Sequence, residues 1–408
     1  MHRTTALLLW TVMACTGSCA AADWPQFLGE NRDGVSKETG LARTWPAGGP
    51  KVLWTVQLGE GFGPACIRAG RVYVLDREGN KTDILRCLDL ATSKENWNFS
   101  YSAPGQYVQP GSRTTPCADD ANVYTVGPAG DIHCVGIATG KVVWKKHLLK
   151  DFGGSGLPPA GVCQSPLLVK DALIVAPLTS QVGVVALEKA TGKVLWKSSA
   201  LGQQMYASPL LTQVEGVEQI VVVSQTRVDA VQMGTGKLLW TFDGWRCNQP
   251  APNPTPIGDG RFFWAASYGL GGIMFKVTRQ GEGFAVTRLF ENGRCKPVIH
   301  NALLYQGHLY VNSNALMCLD LDGNLKWTTA RAATFEMGNL IIADGLIYVL
   351  DSASGTLYLV QAGPEGYKEL GKAQVLEGPQ VWSPMALSNG KLVLRDKKQM
   401  KCLDVKTP

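Results

Sequence analysis

The run Ala186 Leu187 Glu188 Lys189 Ala190 Thr191 Gly192 Lys193 Val194 Leu195 Trp196 decides how this chain folds, because its second half returns along the whole length. Close copies are Thr139 Gly140 Lys141 Val142 Val143 Trp144 and Thr235 Gly236 Lys237 Leu238 Leu239 Trp240. Weaker ones are Thr92 Ser93 Lys94 Glu95 Asn96 Trp97, Asp322 Gly323 Asn324 Leu325 Lys326 Trp327 and Pro50 Lys51 Val52 Leu53 Trp54. Thr-Gly-Lys is turn chemistry: the glycine supplies a positive φ at the end of a short hairpin, and the apolar residues and Trp after it begin a strand. Each copy marks one hairpin. Trp54, Trp97, Trp144, Trp196, Trp240 and Trp327 are therefore expected to fill the space between packed sheets.

Successive tryptophans stand 43, 47, 52 and 44 residues apart, and 87 separate Trp240 from Trp327, two periods holding one degenerate repeat. A period in the forties, built of short strands and turns, is that of a four-stranded propeller blade. Each blade opens near a proline, which lacks a donor and is tolerated only where a strand starts. The openings are Pro64, Pro116, Pro166, Pro209, Pro256 and Pro297, then Gly338 for blade seven and Pro384 for blade eight. Lys51–Gln57 is a lone strand ahead of the first complete blade, and the last blade lacks a fourth strand after Asp404. In a closed ring the two must join. The expectation is an all-β, eight-bladed propeller of four-stranded antiparallel blades over 51–408, with seven blades if blade five or seven is miscounted.

Residues 23–50, rich in proline and glycine, read as an arm lying on the propeller. Before it, Met1 His2 Arg3, an apolar run over 6–14 and Ala20 Ala21 Ala22 read as a secretory leader over 1–22, cut before Asp23. The alternative is a lipoprotein signal using Cys15 or Cys19, the only route by which this chain is expected to reach a membrane. The protein is thus expected to be exported, periplasmic or extracellular.

Nine cysteines remain after such a cut, an odd number. A Cys117–Cys134 bridge is unfavourable because a strand should lie between them. Cys247 and Cys295, in equivalent Arg-Cys loops, are the expected pair. The formal charge of +6 over 408 residues, with no Lys/Arg run, gives no reason to expect nucleic acid.

Catalytic signatures are missing: there is no Gly-x-Ser-x-Gly, His-Glu-x-x-His or phosphate loop, and the five histidines are scattered. Asp320 Leu321 Asp322 Gly323 lacks the further oxygens of a calcium loop and falls at a repeat turn. Gly153 Gly154 Ser155 Gly156 reads as a connection between blades two and three. What remains is the rim where inner strands begin, with Arg113, Gln164, Tyr206, Arg246, Asn253, Arg294, Glu336, Gln380 and Trp382 as candidate binding residues. Arginines beside aromatics suit an anionic ligand or a partner's hot spot.

The 186–196 run and its relatives resemble the tryptophan-docking motif of the pyrroloquinoline quinone (PQQ)-binding-like β-propeller repeat family, over essentially 51–403. The arm Asp23 Trp24 Pro25 Gln26 Phe27 with Asn31 Arg32 Asp33 Gly34 is similar to the leader-proximal segment of exported members. The resemblance implies either a PQQ dehydrogenase or a scaffold propeller like the outer-membrane assembly lipoprotein. A dehydrogenase would add PQQ with calcium, an Asp base and commonly adjacent cysteines over the quinone, yet no two cysteines adjoin here and the chain is short for that branch. The reading is a monomeric, non-enzymatic scaffold without resident cofactor, binding an unknown protein or small molecule at the channel face. A PQQ-dependent oxidoreductase is the alternative, and a carbohydrate-binding propeller the second.

Overall fold

The computed structural model describes residues 23–269 and 271–407, so the expected leader, with Cys15 and Cys19, lies outside the described residues. Eight sheets form among the described residues, seven antiparallel ones of four strands and one of five whose added strand is parallel. Blade three shows the common plan: Leu167–Val169 innermost, then Ala172–Val175, Val185–Glu188 and, outermost, Val194–Lys197. The middle strands are apolar on both faces because both are covered; in blade seven, all of Leu346–Leu350 is buried. The ring closes as its two ends require, Lys51–Gln57 pairing antiparallel with Gln399–Asp404 as the outer strand of blade eight. Among the described residues no helix is long and apolar enough to cross a membrane.

Every outer strand carries a bulge at the same place, one residue before the Trp position. In blade three, Val194 faces Leu187 and Trp196 faces Ala186, leaving Leu195 unopposed. The bulge turns the Trp inward and pushes the extra residue out. That is why Val143 and Leu195, apolar as they are, stand 52% and 50% exposed.

The tryptophans so aimed lie on the next blade's turn. Trp144 of blade two donates its indole N–H to Lys189 O of blade three at 2.7 Å, and its ring lies on Gly192, where an added Cβ would come within 2.7 Å. Trp97 does the same with Ile137 O (3.0 Å) and Gly140 of blade two, and Trp54 donates to Leu90 O of blade one (2.9 Å). Trp196 covers Gly236 of blade four, and Trp327 reaches Gly363 O of blade seven at 2.7 Å. Trp240 differs. Blade five lacks the turn, and the indole donates to Gln219 of its own blade while packing on Phe262 and Phe275 of the next.

Two blades have no outer Trp and use another aromatic. In blade five Phe290 takes the position and covers Gly323 of blade six. In blade seven the position is Gly371, and Trp45 from the arm packs there and against Tyr348, 6.3 Å between ring centroids. Burying about 150–250 Å2 of aromatic surface per contact corresponds to roughly 4–6 kcal/mol of gross hydrophobic gain at each blade interface.

The arm does more than lie on the propeller. The innermost strands expose a free backbone edge to the channel, and the arm bonds to that edge in turn. Trp24 pairs with Ile67 of blade one, Pro25 O accepts from Ala118 N of blade two, and Gln26 Oε1 from Leu168 N of blade three. The chain then crosses to the other side, where Gly34 packs on Leu303 of blade six and Val35–Ser36 adds a parallel fifth strand to blade seven. Glu38 next accepts from Asn389 and Gly390 N at the inner hairpin of blade eight. The arm thereby spans the channel at the end of the ring where the inner hairpins turn.

The expected Cys247–Cys295 bridge does not form: all nine described cysteines are free. Cys247 packs with Trp245 and Trp264 between blades four and five, while Cys295 packs with Phe263 and Met274 between blades five and six. The sheet of blade five separates them. Cys117 and Cys134 both face Tyr124 on the strand between them.

The glycine contact gives a differential test. Gly192 and Gly216 both have positive φ, +71° and +79°, but only Gly192 faces a ring; Gly216 has open space. Gly216→Ala is expected to cost about 1 kcal/mol from backbone strain alone, and Gly192→Ala at least twice that, read from urea unfolding of the two variants.

Candidate functional site at the channel mouth

At the other end of the ring, where inner strands begin, a hydrogen-bonded belt fixes the spacing of the blades. Thr115 N donates to Ser165 Oγ and Ser165 N to Ser208 Oγ, both at 2.9 Å, and Asn253 N to Asn301 Oδ1 at 2.8 Å. Ser165 and Ser208, each just before an opening proline, thus accept from the preceding blade's backbone.

Above the belt, one half of the rim is an aromatic and cationic cluster. Trp382 of blade eight stacks on Phe62 of blade one, 5.0 Å between centroids and 20° between planes. Arg113, on the approach to blade two, lies over the Phe62 ring at 5.7 Å from its centroid. Its guanidinium is held by the carbonyls of Ala160 (2.8 Å) and Gln109 (2.5 Å), and burial lowers its pKa from the ordinary value. Tyr206 and Cys163 adjoin it; burial raises both, the thiol to about 11. Arg113, Tyr206 and Trp382 are therefore brought together. Phe62 was missed, although it sits two residues before Pro64 as Trp382 sits two before Pro384.

The remaining rim residues do not join that cluster. Gln164 is 4% exposed, with neither carboxamide atom paired among the described residues, beside a void of about 10 Å3, the size of one water. Asn253 is buried in the belt. Arg246 and Arg294 are exposed. Glu336 accepts from Ser352 Oγ at 3.0 Å, and Gln380, at φ +69°, accepts from Trp382 N through its carbonyl. A second group unmarked in the sequence is Arg77, fully buried with Asp83 and donating to the carbonyls of Ala103 and Gly105 at 2.8 Å. It fixes the mouth loop that carries Tyr107, whose ring lies 5.5 Å from the guanidinium.

Within the channel, Arg32 of the arm is 4% exposed and donates to Pro166 O (2.8 Å) and Ser165 O (3.3 Å), with Phe27 5.5 Å from its guanidinium. No carboxylate among the described residues pairs with it, and burial brings its pKa down to about 10.

The family model for the outer membrane protein assembly factor BamB, a PQQ-type repeat model, matches residues 38–243, just over half of the chain. The chain belongs to this family. No curated protein matches it significantly. Among solved structures, the quinohemoprotein alcohol dehydrogenase of Comamonas testosteroni is 12% identical with a TM-score of 0.69, covering 95% of this chain and 81% of that one. A europium-containing methanol dehydrogenase is 12% identical at 0.67, covering 94% and 89%. BamB from Moraxella catarrhalis is 13% identical at 0.59, covering 87% and 99%. At such identities the likeness is one of fold, and the PQQ-like propeller is common to enzymes and assembly factor alike. The family match starts at residue 38, so the segment that crosses the channel precedes it.

Two buried histidines are held below their ordinary pKa. Burial holds His133, packed against Tyr101 (4.3 Å between centroids, tilted by 45°) with Asp131 and Lys145 nearby, and His300, beside Asn339, neutral down to about pH 4. Unfolded, each takes a proton near pH 6.5, so stability present above 6.5 is lost as pH falls towards 4, by up to about 3 kcal/mol per histidine. His133→Phe is expected to flatten the fall of Tm between pH 6.5 and 4 by about half of the histidine contribution. Buried carboxyls such as Asp229, raised by desolvation, act in the opposite direction in both proteins and cancel in the comparison.

Proposed function

We propose that this protein is an exported PQQ-like propeller that works as a non-enzymatic scaffold, presenting the channel mouth to a protein or ligand with acidic groups. The observation that carries the reading is the rim's charge. Arg113 lies against the Phe62–Trp382 stack, and Arg246 and Arg294 stand exposed on the loops that follow blades four and five, while Glu336, the acidic member of the rim set, is bonded to Ser352. Arginine beside aromatic side chains is the composition of a binding hot spot.

A calcium-bound quinone does not fit the residues present. Calcium takes six to eight oxygens, several from carboxylates. The rim set offers Glu336 alone, the described residues contain no group of three metal-ligating side chains, and Arg32 already places a buried cation in the channel. The BamB description of the family supports the scaffold reading, in which the partner docks on the loops rather than reacting in the channel.

The scaffold reading predicts that purified protein incubated with PQQ and calcium gains no stoichiometric visible chromophore and reduces no dye. A bound chromophore would defeat it. The rim is tested separately with a fluorescent polyglutamate peptide at low salt: Arg246→Ala with Arg294→Ala should weaken binding at least tenfold while Tm is unchanged. Equal binding by the double variant would remove the rim from the function.

A further inference from the structure

The connections on either side of blade three enclose a second cavity, of about 500 Å3, that the mouth does not use. Its walls are Leu149, Leu157, Pro158, Pro177, Leu178 and Met205, and none of its lining residues is charged or aromatic. A pocket of this size and apolarity is typical of a ligand site, and the polar group in it sets the ligand's class. Ser155, Thr179, Ser180, Gln203 and Gln204 are its polar lining residues, and the buried one without a partner is Gln204. The residue is 7% exposed, and neither Oε1 nor Nε2 has a hydrogen-bond partner among the described residues. An unpaired buried carboxamide costs free energy that a matching ligand recovers.

We propose that this cavity binds an uncharged, extended peptide segment whose backbone pairs with Gln204. An extended residue turns its N–H and C=O to the same side, as in a ladder pair, and a carboxamide carries one acceptor and a donor in one plane to meet them. The leucine, proline and methionine walls then take the apolar side chains on either side. A sugar, which needs an aromatic face, finds none. Gly153 Gly154 Ser155 Gly156, outside any strand, also line the cavity. Leu178, buried at φ +46° in the turn that forms the opposite wall, is held in a backbone region that leucine rarely adopts. The site is independent of the mouth arginines, so either can fail alone.

The test is calorimetric titration of the mature chain with acetyl-Ala-Leu-Val-Leu-Ala-amide. Saturable one-to-one binding is expected, weakened at least tenfold by Gln204→Leu. Ser155→Trp, an exposed position on the cavity wall, should abolish binding without changing Tm, which keeps the test valid if the Gln204 variant folds poorly. N-acetylglucosamine and a glutamate-substituted peptide should not compete. Absence of saturable binding by the wild type, undiminished binding by both variants, or competition by the sugar would overturn the proposal.

Discussion

The ring depends on one contact, a tryptophan of one blade lying flat on the turn glycine of the next. Radially packed sheets leave a gap near their outer edge that only a large side chain fills, and an indole brings an N–H that must find an acceptor when buried. The turn supplies both needs. Its glycine leaves room for the ring, and a carbonyl of the same turn, as with Lys189 beside Gly192, receives the N–H. The bulge that aims the indole follows from the same demand, and so do the exposed Val143 and Leu195 that the bulge displaces. A single geometric requirement therefore accounts for the turn, the aromatic, the irregular register and the apolar residues in water.

Because that requirement is local and repeats, the blade count, the strand order and the closure of the ring were legible in the chain. What repeats poorly was not. Blade seven has Gly371 where the others have an aromatic, and nothing in its own stretch tells that Trp45, more than 300 residues earlier, packs there. The cysteine pairing failed for a related reason. Cys247 and Cys295 occupy equivalent loops, but equivalent positions on successive blades face different interfaces, and a sheet lies between them. At the mouth, Arg113, Tyr206 and Trp382 were legible as residues preceding inner strands. Their meeting depends on Phe62, which sequence spacing relates to Trp382 only once the proline register is compared.

The crossing of the channel by the arm has an energetic logic of its own. A propeller removes outer edges by pairing, but its innermost strands keep a row of free backbone groups around the axis. Water satisfies these in an open channel. Here Trp24, Pro25, Gln26 and Gly34 satisfy several of them directly, which lets Trp24 and Leu28 be buried at 2% and 3% exposure.

Arg32 belongs to that same filling, and its cost says what the channel is built for. A buried guanidinium without a carboxylate loses hydration that two carbonyls and a phenyl face replace only in part, as its lowered pKa reflects. Were the channel shaped to hold a calcium ion, a fixed cation within it would oppose that ion in a medium where charges are weakly screened. Arg113, Arg246 and Arg294 lie at the other end of the ring, which the arm does not span. The arm thus fills the channel with backbone contacts and one buried cation, and leaves the loops at the other end of the ring unspanned.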